Sequence, residues 1–167
     1  MKEIIFAGFG GQGILTGGLI MAYMAVNKGL NAVWMPSYGP TMRGGKANCV
    51  VKYAESEKER VGSPIMENAD ILIAMNEPAL DYLKFCKPNA FVLANAASVR
   101  KDYPFPEGVK PCFIDCVALA AQTNNDKGQN LVAAAAVIKK CSLFEEKGRG
   151  KFNPANIKTM ELAFSQV

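Results

Sequence analysis

The hexapeptide Gly8-Phe9-Gly10-Gly11-Gln12-Gly13 stands between an apolar run, Ile4 to Ala7, and a long apolar segment, Ile14 to Val26. A buried strand, a glycine turn and a helix make the context in which G-x-G-x-x-G carries meaning. Glycines there tolerate positive φ and let a backbone or a phosphate come close, and the helix start offers free N–H groups to an anion. The same residues also suit a tight strand-to-helix connection that binds nothing. The second half of the dinucleotide signature is missing. A carboxylate is expected about 20 residues on, at the end of the next strand, to meet the ribose. That strand reads Ala32 to Ser37, and no carboxylate closes it.

Next along the chain comes a second glycine-bracketed loop, Ser37 to Lys46, in which Gly39-Pro40 and Gly44-Gly45 flank Arg43. An arginine held by such turns suits bidentate contact with a carboxylate or phosphate, although a surface arginine or structural ion pair uses the same residue. Tyr38 and Met42 beside it offer apolar contact to a partner, and with Phe9 they predict an exposed apolar patch. In the first loop, Gln12 is the side chain able both to donate and to accept, toward a ligand or toward its own turn.

With 167 residues, half of them hydrophobic, the chain is long enough for one domain with a substantial core, residues 1–167. A net charge of +4, scattered along the chain, lacks the basic stripe of a nucleic-acid binder. No apolar run reaches the ~20 residues of a membrane span, and Met1-Lys2-Glu3 leads straight into a strand, so a cytoplasmic location is expected. The absence of histidine removes the commonest general base and the usual zinc ligands. Five cysteines without a C-x-x-C pair fit neither a disulfide framework nor a ferredoxin-type cluster, and read as buried free thiols. Redox chemistry is therefore expected on a partner.

Apolar runs alternating with helical periods predict strands at Lys2–Ala7, Ala32–Ser37, Lys46–Ala54, Asp70–Met75, Phe91–Asn95 and Pro111–Ile114. Helices are predicted at Ile14–Lys28, with Leu15, Leu19, Ala22 and Val26 at helical spacing and Met21 and Ala25 widening that face, and at Ser63–Asn68, Glu77–Cys86, Cys116–Gln122, Gln129–Lys140 and Asn153–Ala163. Gly17 and Gly18 inside the first helix cost stability unless it packs very closely on something. The alternation predicts an α/β fold with a mostly parallel twisted sheet and helices on both faces, a Rossmann-like three-layer single domain. Both glycine loops, Asn76 and Asn95 all come directly after strands, which places them on one rim.

Taken together, Gly8-x-Gly10-Gly11-Gln12-Gly13 and the later Tyr38-Gly39-Pro40-x-x-Arg43-Gly44-Gly45 resemble the gamma subunit, or gamma domain, of the 2-oxoacid:ferredoxin oxidoreductases. Ala74-Met75-Asn76-Glu77-Pro78-Ala79-Leu80 extends the likeness, with Glu77 in place of a common Gln. Thr41 stands where the family usually has Glu. Asn124 to Asn130 matches loosely, because Ala134-Ala135-Ala136 replaces the usual Leu-Gly-Ala.

The resemblance implies a chain with no catalytic residue and no metal of its own. It would sit in a complex that converts a 2-oxoacid and coenzyme A to an acyl-CoA and reduced ferredoxin. Thiamine diphosphate would lie between the alpha and beta parts, and iron–sulfur clusters on the beta or delta parts. The gamma part would pack on these and share the coenzyme A site. The residues assigned to that ligand are Gly8, Gly10, Gly11, Gln12, Gly13, Tyr38, Arg43, Gly44 and Asn76. A stand-alone nucleotide-binding module and a purely structural subunit are the alternatives.

Overall fold

The computed structural model describes residues 1–38, with Tyr38 by its backbone alone, 44–143 and 153–167. The strands are β1 (Lys2–Phe9), β2 (Ala32–Tyr38), β3 (Lys46–Tyr53), β4 (Ala69–Ala74), β5 (Cys86–Asn95) and β6 (Pro111–Ile114). They form one six-stranded sheet in the order β2-β3-β1-β4-β5-β6. The pairs β1–β4, β4–β5 and β5–β6 are parallel, whereas β3 runs antiparallel to both β1 and β2. The α/β expectation holds. Within the sheet it differs in that β3 slots between β1 and β2, because a chain turning back after β2 can pair at once with the strand it has just left.

The helices are α1 (Ile14–Asn27), α2 (Cys116–Ala121), α3 (Gln129–Cys141) and α4 (Pro154–Gln166). Glu77–Phe85 winds as 3-10 turns. Asp115 caps α2 through the Ala118 amide and Asn153 caps α4 through the Asn156 amide, as short polar side chains before a helix do. The four α-helices belong to the core on one sheet face, with Ile4, Phe6, Cys49, Val51, Ile73 and Leu93. The other face, carrying Ile5, Ala7, Leu72, Val92 and Ala94, is covered by the 3-10 segment and the connection from Val99 to Val109. Three layers are present, but the second covering layer is 3-10 turns and loop where α-helices were expected.

The strand order explains the split. From β1 the chain moves one way to β2, and from β4 it moves the other way to β5 and β6. Right-handed crossovers then leave the sheet on opposite faces. Where the order reverses, the loops after β1 and β4 leave the carboxyl edge of the sheet side by side, on the rim where open α/β sheets collect ligands.

Two local expectations fail. Residues 63–68 form no helix; a Ser-Pro start cannot nucleate one without an apolar face beyond it to bury. The inner face of α1 is only partly the predicted one. Met21, Ala22 and Ala25 are buried as expected, together with Ile14, Gly17, Gly18, Ile20 and Met24, while Val26 is exposed and Leu15 and Leu19 are only half-buried. The glycines decide this. A Cβ on Gly17 would lie 2.2 Å from the Phe6 ring, and one on Gly18 would lie 2.2 Å from Cys49 Sγ. The helix backbone thus rests directly on the sheet.

Candidate functional site

On this rim the first glycine loop closes on itself and on its neighbours. Gly11 and Gly13 take φ values of 98° and 73°, which only glycine adopts without strain, and Gly13 is the residue that starts α1. Gly8 is a glycine for room: a Cβ there would meet Gln12 Oε1 and the Ile14 side chain, each at 2.6 Å. Gln12 Oε1 accepts from the Phe9 amide at 2.7 Å and from Asn76 Nδ2 at 3.1 Å, and its Nε2 donates to the Met75 carbonyl at 3.5 Å. Gln12 therefore ties the loop after β1 to the loop after β4. Asn76 in turn accepts from the Ala79 amide and starts the 3-10 segment. Buried Asn95, at the end of β5, donates to the same Met75 carbonyl. The rim predicted from the sequence is one hydrogen-bonded unit.

The two glycine loops are stitched together. Gly10 donates its amide to the Gly45 carbonyl at 2.8 Å, and Gly44, at φ 76°, donates to the Gly10 carbonyl at 3.3 Å. Beside this seam lies a cleft of 380 Å³ walled by Phe9, Gly10, Gly11, Ile14, Leu15 and Thr16, with Ala47 of β3 at its side. Helix geometry leaves the Ile14, Leu15 and Thr16 amides without intrahelical acceptors, and no side chain caps them. Open donors at a positive helix end, in a walled recess, form a place for an anionic group. A Cβ on Gly11 or Gly44 would meet nothing, so the approach from outside is clear.

Of the residues expected here, Gly8, Gly10, Gly11, Gln12, Gly13, Gly44 and Asn76 come together. Arg43 and Met42 lie outside the described residues, as does the Tyr38 side chain, so the apolar patch expected with Phe9 rests on half-buried Phe9 alone. The sequence reading missed Asn130, which donates from Nδ2 to the Gly13 carbonyl at 3.0 Å and fixes the start of α1 against the start of α3. The run Asn124-Asn125 to Asn130 marked the place but not the task. It also missed the flanking ion pairs. Lys46 Nζ lies 2.8 Å from Asp81, which raises the lysine and lowers the carboxylate. Arg100 holds both carboxylate oxygens of Glu77 and lowers its pKa.

The five cysteines are free: Cys49 and Cys116 are buried, the others half-buried. Burial pushes Cys49 and Cys116 up to about 12 and Cys86 and Cys141 up to about 11, far from the range of a thiolate nucleophile. Among the described residues no group of three or more His, Cys, Asp or Glu side chains is arranged to hold a metal ion. No helix among them is long and apolar enough to cross a membrane.

Residues 3–166 match the family model described as pyruvate ferredoxin/flavodoxin oxidoreductase. The ketoisovalerate oxidoreductase subunit VorA of Methanothermobacter marburgensis is 33% identical over 129 residues, which are 77% of this chain and 26% of that protein. The chain thus spans about a quarter of that relative. The 2-oxoglutarate synthase subunit KorC of the same organism is 41% identical over 80 residues, 47% of this chain and 41% of that one. Among solved structures, the keto/oxoacid ferredoxin oxidoreductase gamma subunit of Geobacter sulfurreducens superposes with a TM-score of 0.80 at 26% identity, covering 99% of this chain and 97% of that one. The 2-oxoglutarate:ferredoxin oxidoreductase of Magnetococcus marinus shares the fold, with a TM-score of 0.82 at 21% identity, over 98% of this chain and 30% of that chain. The likeness read from the two glycine loops is borne out, and the chain belongs to the pyruvate ferredoxin/flavodoxin oxidoreductase family.

Proposed function

We propose that this chain is the gamma-type part of a 2-oxoacid:ferredoxin oxidoreductase, packs on the subunits that carry thiamine diphosphate, and contributes to the coenzyme A site. The observation that carries the reading is the seam between the glycine loops, set beside a cleft edged by the open amides of Ile14, Leu15 and Thr16. Coenzyme A is an anion with several phosphates, and its thiol takes up the acyl group formed elsewhere in the complex. The role left to this chain is to bind and orient. The α1 amides meet a phosphate, Gly10 and Gly11 let it approach, and Gln12, Asn76 and Asn130 hold the loop in shape. Arg43, from the second loop, adds a paired donor to a phosphate. Further support comes from the Magnetococcus marinus structure of the same fold, which has coenzyme A and succinyl-CoA bound. Thiamine diphosphate and iron–sulfur clusters belong, on this reading, to the alpha, beta and delta partners, which also pass electrons to ferredoxin.

The test is reconstitution. The companion subunits with and without this chain are assayed for acyl-CoA formation from pyruvate, 2-oxoglutarate, branched-chain oxoacids and arylpyruvates. Omission of the chain should abolish acyl-CoA formation; full activity without it would overturn the reading. In the complete enzyme, Arg43→Lys should weaken coenzyme A binding and Arg43→Ala should weaken it further, about tenfold or more, because a charged hydrogen bond contributes about 1.5–3 kcal/mol. Unchanged coenzyme A kinetics in Arg43→Ala, with the complex intact, would remove Arg43 from the site.

A further inference from the structure

The side-chain amides of Asn95, Gln12 and Asn76 act in series along the carboxyl rim, and backbone groups dictate which way each one faces. Asn95, fully buried at the end of β5, accepts at Oδ1 from the Cys116 amide at 3.1 Å and the Ala97 amide at 3.4 Å. Its Nδ2 donates to the Met75 carbonyl at 3.3 Å. That carbonyl also receives Gln12 Nε2 at 3.5 Å, while Gln12 Oε1 takes the Phe9 amide and Asn76 Nδ2. Asn76 Oδ1 in turn accepts from the Ala79 amide. A backbone N–H must meet an oxygen and a carbonyl must meet an NH2, so no carboxamide in the line can be reversed. Gln12 thus has its holds beyond its own loop on the Met75 carbonyl and on Asn76, and the peptide unit between residues 75 and 76 carries both. The Met75 amide, bound to the Ala7 carbonyl at 2.9 Å, lies in the preceding peptide and does not fix this one.

We propose that Asn95 is a positioning residue for the coenzyme A site; the inference rests on the functional reading above. Asn95 is not among the residues that wall the cleft. It holds the peptide between residues 75 and 76 so that Gln12 keeps both contacts there. Gln12 then keeps the first glycine loop in the shape that presents the α1 amides. The position needs a short side chain with an acceptor for backbone amides and a donor for a carbonyl, which asparagine supplies. Aspartate has the same shape, but its carboxylate would set a negative oxygen against the Met75 carbonyl. That carbonyl would turn away and take its peptide with it, releasing Gln12 at both points. Misplacing a binding group by 1 Å can cost about 100-fold, so a residue outside the cleft can govern how well the ligand is held.

The experiment uses the reconstituted complex carrying Asn95→Asp, with coenzyme A kinetics and amide hydrogen exchange read on the same preparation. The apparent KM for coenzyme A should rise about tenfold, with kcat and the KM for the 2-oxoacid unchanged. The Phe9, Gly10 and Gln12 amides, all hydrogen-bonded within the seam and the loop, should exchange faster. Asn95→Ala, which buries no charge, carries the same prediction where the aspartate variant does not assemble. In the Gln12→Ala background, Asn95→Asp should change that KM by less than about twofold, because its effect passes through Gln12. Wild-type KM and wild-type exchange in both Asn95 variants would overturn the proposal and leave the functional reading standing. So would additive effects at the two positions, loss of assembly in both Asn95 variants, or losses spread over kcat and both KM values, which mark a general structural role. Faster exchange of the loop with a wild-type KM for coenzyme A would instead strike the functional reading, and the proposal with it.

Discussion

Asn130 donates to the carbonyl of Gly13 across 117 residues of sequence, and its side chain occupies the space a Cβ on Gly13 would need, 2.7 Å from Nδ2. The starts of α1 and α3 are thereby locked together at the mouth of the cleft. Gly13→Ala combines positive φ with this clash and should lower stability by about 1–3 kcal/mol. Asn130→Ala removes the clash and the hydrogen bond together, so Gly13→Ala should cost less in the Asn130→Ala background. Urea denaturation of the two single variants and the double variant measures this; additive effects would mean that the two residues do not interact.

At the far end of the sheet Glu3 and Lys52, both nearly inaccessible, form an ion pair of 3.1 Å, and Glu3 also accepts from the Glu67 amide. Removing one partner strands a buried charge. Glu3→Gln or Lys52→Met alone should cost about 3–5 kcal/mol, and the double variant should recover most of that loss. Denaturation midpoints that simply add would contradict the pairing.

Cys49 and Cys116 shape the alkaline limit. Burial raises both thiols from an ordinary value of 9.0 to about 12, so the native state holds protons that the unfolded chain releases. Their contribution is complete below about pH 9 and is lost as pH rises toward 12, with a slope of up to about 1.4 kcal/mol per pH unit for each group. Cys49→Ala should flatten that decline. At pH 8 neither thiol should react with a disulfide reagent until the chain is unfolded; fast labelling of the native protein at Cys49 would contradict the burial argument.

Most of the strands were legible because a strand buried on both faces reads as an uninterrupted apolar run, as Ile4 to Ala7 and Ile71 to Ala74 do. The caps at Asp115 and Asn153 were legible because they act within one turn. The features that stayed hidden depend on distance. Periodicity could not set the rotation of α1, because an uncharged helix has no polar face to mark the outside; the close seats of Gly17 on Phe6 and Gly18 on Cys49 set it. The insertion of β3 between β1 and β2 depends on pairing, which no local pattern encodes. At the site, the glycines announced themselves by spacing, whereas Asn130 acts over 117 residues and gave no local signal beyond an asparagine-rich run.

The proposed contact between the open amides of α1 and an anionic part of coenzyme A can be probed at Thr16. It is exposed, lies in the first turn of α1 and lines the cleft. A glutamate at that position favours a helix start, so Thr16→Glu should fold as well as the wild type. The same carboxylate would repel a phosphate from the amides. In the reconstituted enzyme, Thr16→Glu should raise the apparent KM for coenzyme A about tenfold, equivalent to about 1.4 kcal/mol, with the KM for the 2-oxoacid unchanged and Thr16→Gln close to wild type. A wild-type KM for coenzyme A in Thr16→Glu, with the complex intact, would contradict it.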